Sequence, residues 1–398
     1  MKKRPKRLIQ YILLSLLVLS LFGCQQKQEE ETIETLTVED CDTLHEEEFG
    51  GVYIKVTIDD FNDLGFSYGD SVDVEFSNGY KLTDIPYYNG YYVDAGDPLL
   101  IGYPGYDFIK ATINYGDDLW EEAGLMAMNV DKKENLFKLA ALDEHSKATI
   151  SLNEKGKYLA IQEAMDIHYE DERNKFESDE EFANFRNIKM GNIAEGIVYR
   201  SASPCDNQHN RAPYVDRLIE KAGVRYIVDL ADNGVKLEKY IAADDFDSPY
   251  FLSLYEENNV MPLALNMNYT SEEFMVKVAD GFIAMANNEG PYLIHCTEGK
   301  DRTGFVCMLL EALAGADYQA IADDYMLTYD NYYKINKVKD PSKYQTILEK
   351  NLDAMIKTVI NDDSVDFKNS DLSLYARNYL LKAGMEDEQI DRLLEKLS

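Results

Sequence analysis

Ten residues, 295–304 (HCTEGKDRTG), concentrate side chains that can do chemistry in a chain whose net charge is −33. A short apolar run precedes them, and apolar residues at helical spacing follow them, which predicts a strand, a loop and a helix in that order. In this arrangement the N–H groups of the loop and the N-terminus of the helix converge on an anion. The segment therefore predicts a phosphate-binding loop.

The two ends of this loop carry the residues with the clearest chemical roles. Cys296 ends the strand and Arg302 begins the helix, with five residues between them. Arg302 can bind two phosphoryl oxygens bidentately, and the surrounding positive charge favours the thiolate form of Cys296. A thiolate beneath a bound phosphate is a nucleophile placed for in-line attack. Thr303 can donate a hydrogen bond to the sulfur when it becomes the leaving group, and we expect His295 to orient the loop rather than to act as a base.

The rest of the loop is predicted to surround the phosphate. The predicted phosphate-binding residues are Thr297, Glu298, Gly299, Lys300, Asp301 and Arg302. Gly299 and Gly304 permit a tight turn and close packing of the helix on the strand. Because the loop and Arg302 supply the charge that a metal ion would otherwise provide, we expect no metal and no organic cofactor.

The pattern His-Cys-x5-Arg-Thr resembles the signature of the protein tyrosine phosphatase superfamily. The fuller HCTEGKDRTG is similar to the bacterial branch of that superfamily, which includes secreted and lipid-anchored tyrosine/phosphoinositide phosphatases. The similarity continues through residues 197–204 (IVYRSASP), residues 224–230 (VRYIVDL) and Asp323-Asp324-Tyr325, and it covers roughly 185–398. It implies an α/β phosphatase domain with a central sheet flanked by helices. It also implies a two-step reaction in which Cys296 forms a phosphocysteine that water then hydrolyses.

The first step of such a reaction needs a general acid to protonate the leaving oxygen. The Trp-Pro-Asp loop familiar in the superfamily is absent, since the only tryptophan, Trp120, lies far from the motif. Asp301 is the first candidate, because phosphoinositide phosphatases of the superfamily often carry Asp immediately before the Arg. Asp229 and Asp232, at the end of the VRYIVDL strand, are alternative acids. Relatives usually have Asp-Leu-Arg where this chain has Asp-Leu-Ala.

Two substrate classes follow from the resemblance. The first is phosphotyrosine in a protein, with phosphoserine and phosphothreonine as further substrates. The second is a phosphoinositide or inositol phosphate, which Lys300 and Asp301 favour because an extra cation helps to bind a polyphosphorylated ring. A hypothesis of another class is a surface binding protein, in which a tyrosine-rich β-domain is functional and the phosphatase module is vestigial. Nucleic acid is not an expected partner, since 73 acidic residues face 40 basic ones.

The N-terminus is predicted to direct the chain out of the cytoplasm. Residues 1–7 are basic, residues 8–21 are apolar but short for a membrane span, and residues 1–23 together form a predicted signal peptide. The ending Leu-Phe-Gly-Cys resembles a bacterial lipobox, which implies cleavage before Cys24 and acylation of that residue. The predicted localisation is the extracytoplasmic face of the cell membrane, through the lipid anchor. An ordinary signal peptide or an N-terminal anchor helix is the alternative.

The remainder of the chain divides by its composition into four predicted segments. These are an acidic tether (24–48), a small mainly-β domain (49–150), a helical connector (151–184) and the phosphatase-like domain (185–398). Short alternating strands separated by turns, with Asn78-Gly79 as a hairpin signal, favour a barrel or a sandwich for the β-domain. The mature cysteines (Cys41, Cys205, Cys296, Cys307) lack the spacing of zinc ligands, although four of them could form two disulfides.

Overall fold

The computed structural model describes residues 36–47, 50–94, 96–114, 116–125, 145–168 and 170–398. The predicted signal peptide, Cys24 and most of the predicted tether lie outside these ranges. All the elements below belong to one compact unit, Thr37–Ser398. Within the described ranges, every helix is too short or too polar to cross a lipid bilayer.

The N-terminal part is a closed barrel with the strand order β1-β2-β6-β5-β4-β3-β7. Its strands are β1 Thr37–His45, β2 Val52–Thr57, β3 Ser71–Phe76, β4 Lys81–Tyr88, β5 Pro98–Ile101, β6 Phe108–Ile113 and β7 Lys147–Glu154. Two short helices accompany them, α1 Ile58–Asp63 and α2 Leu119–Glu122. The barrel interior is filled by alternate apolar residues, as in β3, where Val72, Val74 and Phe76 are buried. The hairpin predicted at Asn78-Gly79 joins β3 to β4.

Strand β1 lies in the segment that the sequence predicted to be a tether. It pairs with both β2 and β7 and so closes the barrel. An acidic segment can form this strand because its carboxylates have partners at the surface: Asp40 contacts the Lys147 ammonium at 3.0 Å, and Asp42 contacts the His145 ring at 2.7 Å. The net charge of this segment alone could not distinguish a tether from a strand, because the residues that pair with its carboxylates lie more than a hundred residues away in sequence.

The predicted helical connector is interrupted in the structure. Strand β7 continues to Glu154, and a turn at Gly156, whose φ is 68°, precedes the first helix. The helices of this region are α3 Leu159–Met165, the 3-10 turn Arg173–Lys175 and α4 Asp179–Phe182. Ser178 caps α4 by accepting a hydrogen bond from the N–H of Glu181.

The C-terminal part is built on a five-stranded sheet with the order β11-β10-β12-β9-β8. The strands are β8 Arg186–Ile188, β9 Val198–Ser201, β10 Tyr226–Asp229, β11 Val260–Pro262 and β12 Tyr292–His295. All neighbours in the sheet are parallel except β8, which is antiparallel to β9. In register, His295 lies between Asp229 of β10 and Ser201 of β9. The carboxyl ends of three strands therefore meet at one edge of the sheet.

Helices cover both faces of this sheet. They are α5 Ala212–Ala222, α6 Gly234–Ile241, α7 Pro249–Glu256, α8 Glu272–Asn287, α9 Asp301–Leu313, α10 Tyr318–Tyr333, α11 Pro341–Ile347, α12 Ala354–Ile360, α13 Ser373–Lys382 and α14 Asp387–Leu397. A π-helical segment, Leu348–Asp353, joins α11 to α12, and a 3-10 turn spans Phe367–Asn369. In β12, Leu293 packs with the layer of α5 and α7, whereas Ile294 packs with α8 and α9. The domain is therefore mixed α/β, with the sheet as its middle layer.

The four cysteines within the described residues, Cys41, Cys205, Cys296 and Cys307, are all free. The two disulfides that an even count of cysteines allowed do not form in this structure.

Candidate active site

The predicted strand, loop and helix form in the predicted order. Strand β12 ends at His295, and helix α9 begins at Asp301. Cys296 follows the strand directly and is 3% exposed. Thr303 lies in the first turn of α9 with its hydroxyl buried and without a hydrogen-bond partner among the described residues. The loop therefore presents a thiol and an unused hydroxyl at the end of a parallel sheet, where α/β proteins commonly bind ligands.

Gly299 fixes the path of the loop against strand β9. Its φ is +69°, and a Cβ at this position would lie 2.1 Å from the carbonyl oxygen of Ser201. The Gly299 carbonyl accepts hydrogen bonds from Asn184 Nδ2 at 3.1 Å and Arg200 Nη2 at 3.0 Å. A further bond runs from the N–H of Ser203 to the Thr297 carbonyl, at 3.0 Å. Hydrogen bonds to the carbonyls of Thr297 and Gly299 therefore stabilise the conformation of the loop.

A buried ion network supports the loop from below. Arg200 Nη1 donates to Asp324 at 2.7 Å, and Arg186 Nε donates to the other oxygen of Asp324 at 2.6 Å. Burial alone would raise the pKa of Asp324, but the two guanidinium groups hold it well below its ordinary value. Arg200 therefore joins this carboxylate to the Gly299 carbonyl. Sequence reasoning assigned no role to Asn184, Arg186 or Asp324, although Asp324 stood within a segment that resembled the family.

Arg302 is held by a different element. Its Nη1 donates to the carbonyl of Leu265, at 3.2 Å, in the segment that follows strand β11. Tyr269 in the same segment stacks on Phe305 of α9, with ring centroids 4.9 Å apart. The guanidinium of Arg302 is half-buried, which leaves part of it available to an anion at the loop.

Lys300 stands between two carboxylates of its own loop. Its Nζ lies 3.3 Å from Glu298 Oε2 and 3.7 Å from Asp301 Oδ2. Burial opposes the charged ammonium, yet Asp301 and Glu298 hold the pKa of Lys300 well above its ordinary value. For Asp301, partial burial and the Glu298 carboxylate raise the pKa against the opposing effect of Lys300 and Arg302. A raised pKa is what a general acid at this position needs.

Asp229 and Asp232 lie close to the loop but are almost completely buried, with exposed fractions of 0% and 1%. Asp229 Oδ1 accepts from the N–H groups of Ala231 and Asp232, at 2.9 and 3.2 Å. Burial raises the pKa of Asp229 to about 6. Burial and the neighbouring Asp229 also raise the pKa of Asp232 to about 6. Both groups could hold a proton, but Asp229 uses one oxygen to cap the backbone.

The three candidate acids differ in access. The side chain of Asp301 keeps 36% of its exposure, whereas those of Asp229 and Asp232 are enclosed. A general acid must reach the leaving oxygen of the substrate. The geometry therefore favours Asp301 among the alternatives that the sequence left open.

His295 is completely buried, which lowers its pKa to about 4. Its Nδ1 lies 3.3 Å from the Cys296 carbonyl, and its Nε2 has no hydrogen-bond partner among the described residues. At neutral pH the ring is therefore uncharged. This placement fits the predicted orienting role of His295.

Cys205 lies beside the carboxylates that follow strand β10. Its sulfur and carboxylate oxygens of Asp229 and Asp232 all lie within 4.8 Å of one another. Burial and the Asp229 carboxylate raise the pKa of the Cys205 thiol well above its ordinary value. Cys205 is thus a neutral thiol beside two carboxyl groups, and the spacing of its neighbours along the chain gave no signal of this cluster.

A second group of side chains lies around Glu298 of the loop. The Tyr332 hydroxyl donates to the Glu298 carbonyl at 2.7 Å, and His209 Nε2 lies 3.8 Å from Glu298 Oε1. The guanidinium of Arg211 stacks over the Tyr332 ring at 4.6 Å. No local pattern in the sequence places His209 beside the motif, from which it is more than eighty residues away.

The C-terminal part is thus an α/β domain in which Cys296 and Arg302 lie at the two ends of a loop between strand β12 and helix α9. The model of the tyrosine phosphatase family matches residues 180–398, more than half of the chain, and the chain belongs to that family. This membership supports a phosphatase function for the C-terminal domain. A comparison with curated proteins finds no match.

Proposed function

We propose that the chain is a phosphomonoester hydrolase that removes phosphate from phosphotyrosine through a phosphocysteine on Cys296. The proposal rests on one observation. The loop between Cys296 and Arg302 lies at the carboxyl end of parallel strand β12, and helix α9 begins at the end of this loop. Its N–H groups, the N-terminus of α9 and Arg302 together form a site for a tetrahedral dianion.

The proposed reaction has two displacements at phosphorus. In the first, the Cys296 sulfur donates an electron pair to phosphorus, the bond from phosphorus to the ester oxygen breaks, and Asp301 gives that oxygen its proton. In the second, water attacks phosphorus as Asp301 takes its proton, and the bond between phosphorus and sulfur breaks. The buried Thr303 hydroxyl donates a hydrogen bond to the departing thiolate. The two steps need no redox partner.

A phosphoinositide or inositol phosphate is the second candidate substrate, and Lys300 favours it. The Lys300 side chain is only 13% exposed and keeps its charge inside the loop. A second cation beside Arg302 adds attraction for a substrate with more than one phosphate. We further propose that acylation of Cys24 anchors the chain at the extracytoplasmic face of a membrane, where a phosphorylated protein or a lipid headgroup would be its partner.

The test compares phosphate release from a phosphotyrosine peptide and from a panel of phosphoinositides, by the full-length chain and its Cys296→Ser variant, with EDTA present. Release that depends on Cys296 supports the proposal, and the ratio of the two rates identifies the substrate class. Absence of release from every substrate would favour a binding protein with a vestigial phosphatase module.

A further inference from the structure

A cavity of about 660 Å³ opens beside the phosphate-binding loop, between the barrel and the C-terminal helices. Asp301 of the loop lines it, and so do Tyr91 and Asp94 of the barrel. Cavities of roughly 300–1,000 Å³ are typical of small-molecule sites. A substrate whose reacting phosphate occupies the loop therefore has an adjoining cavity into which the rest of the molecule can extend.

Three lysines line this cavity, Lys350, Lys357 and Lys382. Lys350 lies in the π-helical segment Leu348–Asp353, Lys357 lies in α12, and Lys382 ends helix α13. Lys350 lies 3.3 Å from Asp94 of the barrel. Lys357 and Lys382 are exposed and make no ion pair with the part of the chain that the structure describes. Two ammonium groups thus face one cavity in a chain whose net charge is −33.

Each of the three carboxylates that line the cavity has a partner in an ion pair or a hydrogen bond. Asp94 pairs with Lys350, Asp301 lies 3.7 Å from Lys300, and Glu349 accepts a hydrogen bond from Gln345 at 2.6 Å. The amide side chains of Asn361 and Asn378 also line the cavity and can donate hydrogen bonds. Gln345 is neutral, so Glu349 keeps its charge, and the two lysines without an ion pair, Lys357 and Lys382, outnumber the one carboxylate that lacks a cationic partner. The ammonium and amide groups around the cavity are those that bind phosphate oxygens.

The walls of the cavity are tied to the catalytic loop. Tyr269 and Tyr379, which line it, contact Phe305 of α9 with ring centroids 4.9 and 5.9 Å away. The segment that carries Tyr269 also holds Arg302 through the Leu265 carbonyl. The distance between the loop and the lysines is therefore set by packed elements, which suits a ligand with two anionic groups at a fixed separation.

We propose that this cavity is a subsite for a second phosphate group of the substrate, bound by Lys357 and Lys382 while the reacting phosphate lies in the loop. The ligand is a compact polyol that carries two or more phosphates, either as a free inositol phosphate or as a lipid headgroup. This inference rests on the proposed phosphatase function. It concerns the second candidate substrate, because a compact polyol fits a cavity of about 660 Å³ that Tyr91 and Asp94 bound on the barrel side.

The experiment uses the full-length chain with Lys357→Gln and Lys382→Gln, singly and together, and Lys239→Gln as the matched control. Lys239 is an exposed lysine of α6 that does not line the cavity. Steady-state kcat/KM is measured for para-nitrophenyl phosphate, inositol bisphosphate, phosphatidylinositol bisphosphate in phosphatidylcholine vesicles, and a doubly phosphorylated peptide. Because a hydrogen bond to a charged group contributes appreciably, each substitution should lower kcat/KM for the bisphosphates about tenfold. Turnover of para-nitrophenyl phosphate, and all activities of Lys239→Gln, should be unchanged.

Loss with inositol bisphosphate alone supports the subsite and assigns it to the free compound, whereas loss with the vesicles as well supports it for the headgroup. Equal losses on para-nitrophenyl phosphate, a loss confined to the phosphopeptide, or no loss on any substrate would overturn the proposal. Calorimetric binding of inositol bisphosphate to Cys296→Ser, with and without the two lysine substitutions, separates the subsite from catalysis. If the lysines do not affect that binding, the subsite is refuted even when turnover depends on Cys296. If they do affect binding but no substrate is turned over, the subsite stands and the proposed catalytic function fails.

Discussion

Among single residues, the two cations of the loop are each held by specific partners. Arg302 is bound by the Leu265 carbonyl at 3.2 Å, and Lys300 lies between Glu298 and Asp301. Neither cation is a mobile surface group. Their fixed positions allow each to have a distinct role in binding and reaction.

Arg302→Lys should lower kcat by about 10²–10³-fold, since one ammonium cannot reproduce two parallel hydrogen bonds to a phosphoryl group. The rate with para-nitrophenyl phosphate measures this. Arg217→Lys is the control, because Arg217 is exposed on α5 and stacks over Tyr214 at 4.6 Å. An equally active Arg302→Lys variant would show that bidentate binding is not used.

The general acid can be identified from the pH dependence of kcat. A general acid works only when protonated, so activity falls as the pH rises through its pKa. Asp301, whose pKa is raised, should define this fall. Asp301→Asn should remove it and lower kcat by about 10²–10⁴-fold for an alkyl phosphate, and by less for an aryl phosphate with a good leaving group. If Asp232→Asn produces that result instead, the acid is Asp232, whose pKa is about 6.

At the scale of elements, the loop keeps its shape because glycine allows close contact with β9. Gly299→Ala would place a Cβ 2.1 Å from the Ser201 carbonyl at a φ of +69°. Strain and overpacking should together cost about 2–5 kcal/mol in the free energy of unfolding. A loop displaced by about 1 Å should also lose about 10² in rate. Urea unfolding and turnover are the measurements.

Gly223 offers a matched control for this prediction. Its φ is +68°, almost the same as that of Gly299, but nothing lies within 4 Å of the position of a Cβ. Gly223→Ala should therefore cost only the backbone strain, about 1–2 kcal/mol, and should leave kcat unchanged. Similar effects for the two variants would mean that contact with β9 does not determine the loop.

The strand, loop and helix at 292–313 could be predicted from the sequence because their signals are local. An apolar strand, two glycines and a helical periodicity all lie within about twenty residues. The groups that hold the loop are remote: Asn184 and Arg200 reach Gly299 from 115 and 99 residues away. The segment of strand β1 was predicted to be a tether because it is polar and acidic, and the residues that pair with it, Lys147 and His145, lie more than a hundred residues away. Local sequence patterns thus predicted the strand, the loop and the helix, but not the residues that form hydrogen bonds with the loop.

At the scale of the whole molecule, Asp324 joins β8, β9 and α10 beneath the site through Arg186 and Arg200. Asp324→Asn removes the carboxylate to which both guanidinium groups are hydrogen-bonded and should cost about 3–5 kcal/mol in the free energy of unfolding. Because the folded state lowers the pKa of Asp324, this stabilisation is present above the unfolded pKa of about 4. It is lost as the pH falls through the lower folded value, so the difference between variant and parent should shrink in acid.

The adjacent residue provides the comparison. Asp323 has a side chain that is 58% exposed and pairs with Lys337 at 2.8 Å, so Asp323→Asn should cost less than about 1 kcal/mol. Denaturant unfolding of both variants at several pH values is the measurement. A cost at Asp324 no larger than that at Asp323 would contradict the structural role of the network.

The central claim is that Cys296 carries the phosphoryl group during turnover. The direct measurement is rapid acid quenching of the full-length chain while it hydrolyses para-nitrophenyl phosphate, followed by mass spectrometry of the peptide that contains Cys296. Cys41→Ser, a substitution in the barrel, is the control and should show the same adduct. The account predicts phosphate on Cys296 and no turnover by Cys296→Ser. Turnover that persists in Cys296→Ser, or a phosphoryl group found on another residue, would contradict it.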